Sequence, residues 1–134
     1  MYLLDTNICI YAVNGRHPAL NRRLLTVPPA AISVSAVTVG ELEYGAAKSR
    51  WGERTRQIMA AFLSNFTVLP FSEADAIVFG RIRAGLVKQG TPIGAYDVMI
   101  AAQGISRKLT VVTHNTGEFS RVPGLSLEDW VEEG

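Results

Sequence analysis

The chain has 134 residues, 48% of them hydrophobic and 19% charged, with a formal net charge of +1. That length and apolar content fit one domain around a single core, expected to span 1–134, and exclude a disordered chain. No apolar run approaches the ~20 residues needed to cross a bilayer, and the N-terminus lacks the basic-then-apolar pattern of a secretory signal, so a soluble, cytoplasmic protein is expected. The lone cysteine, Cys9, excludes an internal disulfide framework and a multi-cysteine zinc site. In an apolar helix it reads as core packing. Four of the twelve acids, Glu128, Asp129, Glu132 and Glu133, crowd the C-terminal tail. The body is left mildly basic, a balance that suits a polyanion as well as plain solvation.

In chain order, Tyr2-Leu3-Leu4 reads as a short buried strand that ends abruptly in Asp5-Thr6-Asn7. Asn7 is placed to cap a helix through Ile8-Cys9-Ile10-Tyr11-Ala12-Val13. The turn composition of Asn14 to Pro18 precedes a short helix from Ala19 to Thr26, which Pro28-Pro29 ends. Ala31-Ile32-Ser33-Val34 predicts a second strand, and Ser35 caps a helix running through Glu41 to Tyr44, with Gly45 within or near its end. Apolar residues Ile58, Met59, Phe62, Leu63 and Phe66 recur at helical spacing and predict a helix from Glu53 to Phe66.

Val68-Leu69-Pro70 reads as a third strand. Ser72-Glu73-Ala74-Asp75 is an acidic variant of the capping box, opening a helix to about Gln89 whose apolar side uses Ala74, Ile77, Val78, Ile82 and Leu86. Its polar side carries Arg81, Arg83 and Lys88, a solvated face by default that is also suited to phosphates. Gly90 stops it. A further helix from about Ala95 to Ser106 holds Asp97 in its first turn, Thr110 to Thr113 is a fourth strand, and Leu125-Ser126-Leu127 suits a fifth edge strand. Strands alternating with helices, and apolar rather than two-sided, predict an α/β fold. The architecture expected is a three-layer α/β/α sandwich with a mostly parallel, about five-stranded sheet. The first and fourth strands both end in small polar residues, as expected if both open into one crevice beyond the strand ends.

Four acids fall where that crevice would be: Asp5, Glu41, Asp97 and Glu118. Converging carboxylates repel unless protonated or neutralised by a cation. Hard oxygen donors without cysteine point to Mg²⁺, or Mn²⁺ in its place, and since Mg²⁺ keeps several waters, Asp5 and Asp97 are the direct ligands expected. Glu41 and Asn115 would hold its water shell. Such a site suits phosphodiester hydrolysis. Each acid has a plain alternative: Asp5 as a helix cap, Asp97 as a partner of its helix dipole, Glu41 with Glu43 as an exposed face, and Gly117-Glu118-Phe119 as an ordinary turn anchored by Phe119. Glu43, two residues from Glu41 on a helix, points away from the site. Thr6 and Thr113 either orient the carboxylates through their hydroxyls or are ordinary strand-end threonines. His114 stays outside the catalytic set, and Trp51 and Trp130 read as packing or interface anchors.

Four motifs in order make the pattern specific: Leu4-Asp5-Thr6-Asn7; Ser35-Ala36-Val37 leading to Gly40-Glu41-Leu42-Glu43-Tyr44-Gly45-Ala46; Gly94-Ala95-Tyr96-Asp97-Val98-Met99-Ile100-Ala101-Ala102; and Val112-Thr113-His114-Asn115-Thr116-Gly117-Glu118-Phe119. This combination resembles the PIN-domain ribonucleases of the VapC toxin type over nearly the whole chain. The resemblance implies a magnesium-dependent endoribonuclease that arrests translation, in some relatives by cutting transfer RNA, neutralised by a small VapB-like antitoxin and commonly a homodimer. The family's acidic positions fall on Asp5, Glu41 and Asp97. Its fourth, an Asp in many members, falls on Asn115 with Glu118 nearby, which leaves a second metal open.

Two other readings stand beside it. A magnesium-dependent phosphatase or phosphotransferase using Asp5 as nucleophile usually carries a second acid two residues on, where this chain has Asn7. A non-catalytic RNA- or protein-binding domain, with the acids only as caps, would be indifferent to magnesium and to Asp5→Asn.

Overall fold

The computed structural model describes residues 1–132, so Glu133 of the acidic tail lies outside it. Five strands, β1 (Tyr2–Leu4), β2 (Ile32–Ser35), β3 (Thr67–Leu69), β4 (Thr110–Val112) and β5 (Leu127–Glu128), form one sheet in the order β3-β2-β1-β4-β5. Every pairing is parallel. Around them lie α1 (Thr6–Asn14), α2 (Pro18–Thr26), α3 (Ala36–Lys48), α4 (Gly52–Leu63), α5 (Glu73–Lys88), α6 (Ala95–Ser106) and α7 (Thr116–Phe119).

The register shows why the sandwich has two cores. Leu4 pairs with Val34 on one side and Val112 on the other, and these three side chains enter one apolar cluster with Ile8, Cys9, Leu20 and Leu42 from α1 to α3. One residue earlier Leu3 pairs with Val111, and both enter the opposite cluster with Val98, Ile100 and Ala101 of α6 and with Phe119. Alternate strand residues point to opposite faces, so strands apolar at consecutive positions demand helices on both sides. Close packing of α6 on β4 depends on Gly104, where a Cβ would stand 2.7 Å from Val111 Cγ2.

Most predicted boundaries agree within a residue or two. α6 begins and ends where the sequence places it. Ser35 caps α3 through Val37 N–H, Gly45 lies inside that helix, and Ser72 and Asp75 form the reciprocal capping box of α5. At Gly90 the backbone has φ 74°, a left-handed conformation that favours glycine and ends the helix.

Three expectations need correction. Asn7 does not cap α1; Asp5 does, accepting from Ile8 N–H at 2.8 Å, and Asn7 is the exposed second residue of the helix. On α5, Ala74 and Ile77 face solvent, while Phe79 joins Ile82 and Leu86 against the core. The capping box fixes the start of that helix with Asp75 buried, and this rotates the inward stripe away from Ile77. Gly117-Glu118-Phe119 is no plain turn but part of the one-turn helix α7, although Phe119 is the expected anchor, with no exposed surface.

The strand order has one reversal. From central β1 the chain builds outward through β2 and β3, then returns to the other side of β1 for β4 and β5. In open parallel sheets the crevice at such a switch, beyond the carboxyl ends of the strands, is where ligands bind. Here it lies between the ends of β1 and β4, which lead directly into Asp5 and Thr113.

Candidate active site

Asp5 follows β1 and is 3% exposed. Its backbone N–H donates to Val112 O of β4 at 3.0 Å, so the sheet itself carries the residue to the switch point. Burial pushes its carboxyl above the ordinary aspartate range, and the charges of Glu41 and Asp129 push the same way, against hydrogen bonds from Thr113 and from Ile8 N–H. Asp5 is therefore the cap of α1 and, at the same time, lies within electrostatic reach of Glu41 and Asp129.

Glu41 reaches the same crevice from the second turn of α3. The Thr6 hydroxyl donates to Glu41 Oε1 at 2.7 Å and lies 3.0 Å from the buried Thr38 hydroxyl. Thr38 precedes Glu41 by three residues, which puts both on one helix face. Asp97, in the first turn of α6, has a pKa raised to about 6, first by burial and then by the charges of Asp5, Glu41 and Glu118. Three elements distant in sequence thus bring their acids within electrostatic reach of one another.

The fourth corner is built from β4 and α7. Thr113 is fully buried and its Oγ1 accepts from Asn115 N–H at 3.0 Å, while the Asn115 amide donates to Glu118 Oε2 at 3.0 Å. Asn115 and Glu118 therefore work as one hydrogen-bonded unit, and Glu118 faces Asp97 closely enough to raise its pKa. Asn7 makes no hydrogen bond to any of these carboxylates. Glu43, as expected, points away and pairs with Arg56 on the outer face of α3 and α4, at 2.8 Å.

Sequence reasoning missed two contributors. Thr38 carried a signal in its helical spacing to Glu41. Asp129 was read only as part of the acidic C-terminal tail, yet β5 pairs with β4 and sets Asp129 just beyond a strand end, where its charge acts on Asp5 and its Oδ2 meets His114 Nδ1 at 2.9 Å. Among the described residues, only His114, Asp129 and Glu132 bring three candidate ligand atoms all within 4.8 Å of one another. Asp5, Glu41 and Asp97 are more widely set. Their all-oxygen donor set suits a hard ion. The Asp5 and Asp97 carboxyls are raised first by burial and then by neighbouring negative charge, which a bound cation would offset.

A family model described as PIN domain matches residues 2–125. The chain belongs to the PIN-domain family. This PIN domain is 44% identical over 129 residues to the tRNA(fMet)-specific endonuclease VapC of Shigella flexneri, covering 96% of this chain and 97% of that one. It is 38% identical over 132 residues to ribonuclease VapC2 of Rickettsia felis, covering 97% and 98%. Among solved structures, DNA-bound VapBC from Salmonella typhimurium matches it with a TM-score of 0.90 and 41% identity, over 96% of this chain and 97% of that chain. The VapC-type resemblance read from the four motifs is thereby shown. No helix among the described residues is long and apolar enough to cross a membrane.

Proposed function

We propose that this PIN domain is a magnesium-dependent endoribonuclease, the toxin of a toxin–antitoxin pair, that hydrolyses RNA phosphodiester bonds in the cytoplasm to inhibit translation. The observation that carries the reading is the gathering of Asp5, Glu41, Asp97 and Glu118 about the switch point between β1 and β4, where Asp97 is raised by burial and then by the charges of the other three. Transfer RNA is the favoured substrate class, supported by the name of the Shigella relative.

In this reading Asp5 and Asp97 hold the ion directly. When bound, the cation polarises the phosphate and makes a nucleophile available at neutral pH. Everything else is done by this chain. Thr6, itself held by the Thr38 hydroxyl, locks Glu41 Oε1, which leaves Oε2 to orient the attacking water and accept its proton. Thr113 and the Ile8 N–H fix Asp5, and the Asn115–Glu118 pair holds the far wall of the crevice.

A VapB-like antitoxin is the proposed partner, supported by the VapBC complexes that this chain resembles, and a homodimer is the proposed assembly. An antitoxin side chain bearing a guanidinium would find in the carboxylate cluster a charge-assisted partner. The test is expression without the antitoxin: the wild type should arrest growth, and Asp5→Asn or Asp97→Asn at equal protein level should relieve it. Equal toxicity of wild type and variants would remove these residues from the site. Growth unaffected by all three proteins, with RNA bound in vitro, would favour the non-catalytic binding domain.

A further inference from the structure

Beside the acidic crevice, between α3 and α6, lies a concave space of about 670 Å³ lined by Val37, Gly40, Glu41, Tyr44, Tyr96 and Met99. The α3 residues recur at the three- and four-residue spacing of a single helix face, and Tyr96 and Met99 are one turn apart on α6. Glu41 forms part of both the crevice and this groove. Whatever fills the groove therefore lies against the reaction centre.

Three observations describe the occupant. Tyr44 and Tyr96 are 66% and 59% exposed, an unusual amount of aromatic surface to leave in water beside a site. Among the described residues Tyr96 makes no hydrogen bond or ring contact, which leaves its ring open to a stacking partner, while Lys48 Nζ, one turn beyond Tyr44 on α3, sits 4.7 Å from the centroid of Tyr44 and brings a positive charge beside the groove. At Gly40 a Cβ would meet nothing within 4 Å, so packing inside the chain does not require glycine there, and glycine within a helix is destabilising relative to alanine. Gly45, Gly80 and Gly85 are equally open but line no such space. At Gly40 the missing side chain keeps the groove floor low for something from outside.

Resting on the ribonuclease reading, we infer that this groove receives one unstacked nucleobase of the RNA substrate, adjacent to the scissile phosphate, with Tyr96 and Tyr44 as its walls. The volume lies in the range of small-ligand pockets. RNA is read mainly where bases are splayed from the helix and stacked on aromatic side chains. A neutral base suits the apolar walls, the phosphate on one side of it reaches the cation held in the crevice, and the phosphate on the other side reaches Lys48.

The test is binding of a labelled single-stranded octaribonucleotide by the intact protein in EDTA, followed by fluorescence anisotropy, with each position in turn replaced by an abasic residue. Stacking on one aromatic side chain predicts that one abasic position weakens binding about ten-fold. Tyr96→Ala should weaken binding of the intact RNA by a similar factor and add no further loss on that abasic RNA, and Tyr96→Phe should bind as the wild type. Gly40→Leu, which fills the floor from an exposed helix position, should reproduce the loss without lowering the melting temperature. Additive effects of Tyr96→Ala and the abasic substitution, or no loss from either, would overturn the proposal. So would an unchanged affinity accompanied by a shift from dimer to monomer in sedimentation, which would make the groove the seat of a second copy. Because cleavage is not read, loss of magnesium-dependent hydrolysis in a separate assay would bear on the proposed function alone.

Discussion

Thr6 Oγ1 donates to Glu41 Oε1 across 2.7 Å, tying the first residue of α1 to the middle of α3. The same hydroxyl meets Thr38, so one side chain joins the two helices that flank β1 at the crevice. Thr6→Val keeps the shape and removes both bonds. Misplacing a group that orients the nucleophile is expected to reduce kcat by about 10- to 100-fold, with KM little changed and only a small drop in melting temperature. Steady-state cleavage together with thermal denaturation separates the two effects.

Asp5 has two jobs that different substitutions divide. Asparagine caps helices as well as aspartate does, whereas alanine at a cap costs about 1 kcal/mol. Asp5→Asn should therefore retain the Ile8 N–H contact and the stability of α1. Activity should fall by about 100-fold or more, beyond the 10- to 100-fold typical of groups that only orient a ligand. Asp5→Ala should lose activity and stability together. Denaturant midpoints measured beside cleavage rates decide the matter.

The pH dependence has a definite sign. Asp97 ionises near pH 6 in the folded protein, against a reference value of 3.8. Between those values the unfolded chain gives up its proton first, so the folded state binds more protons and stability falls as pH rises. The contribution is fully present below about pH 3.8 and lost as pH passes 6. Without divalent ions the melting temperature should decline through this window, and Asp97→Asn should flatten the decline. Added Mg²⁺ should raise the melting temperature more at pH 7.5 than at pH 5, because ligand deprotonation and ion binding are linked.

Far from the crevice, Asp75 is 1% exposed and pairs with Arg107 at 3.0 Å, joining the start of α5 to the residue that follows α6. Arg107 also donates to Pro70 O at 2.8 Å. Arg107→Met leaves a buried carboxylate without its cation and should destabilise the protein by about 3–5 kcal/mol. Asp75→Asn in that background should recover part of the loss. Equilibrium urea unfolding of the single and double variants measures the coupling.

The sandwich was legible because its strands are short and apolar on both faces, so β1 and β4 announce their burial, and because Ser35, Ser72 and Gly90 mark helix ends with unambiguous local chemistry. Less legible was the rotation of α5, where Ile77 and Phe79 are equally apolar and only the tertiary burial of Asp75 decides which turns inward. At the site, Asp5 and Asp97 stood out as acids at element ends, and Glu41 as an acid on the helix that follows β2. Thr38 and Asp129 did not, since a helix threonine and a tail aspartate acquire meaning only when the sheet order sets α3 and the end of β5 beside β1. Asn7 misled because both it and Asp5 are good caps, and sequence alone does not fix which one begins the turn.

The most direct measurement is sequencing of the RNA ends produced when purified protein acts on total transfer RNA across a magnesium titration, for the wild type, Asp5→Asn and Asp97→Asn. The wild type should generate new ends at one or a few defined positions, with a yield that rises with Mg²⁺ and vanishes in EDTA, while both variants generate none. Cleavage by the wild type that persists in EDTA, or ends at the same positions and yields in either variant, would contradict a cation held by Asp5 and Asp97 as the centre of the reaction.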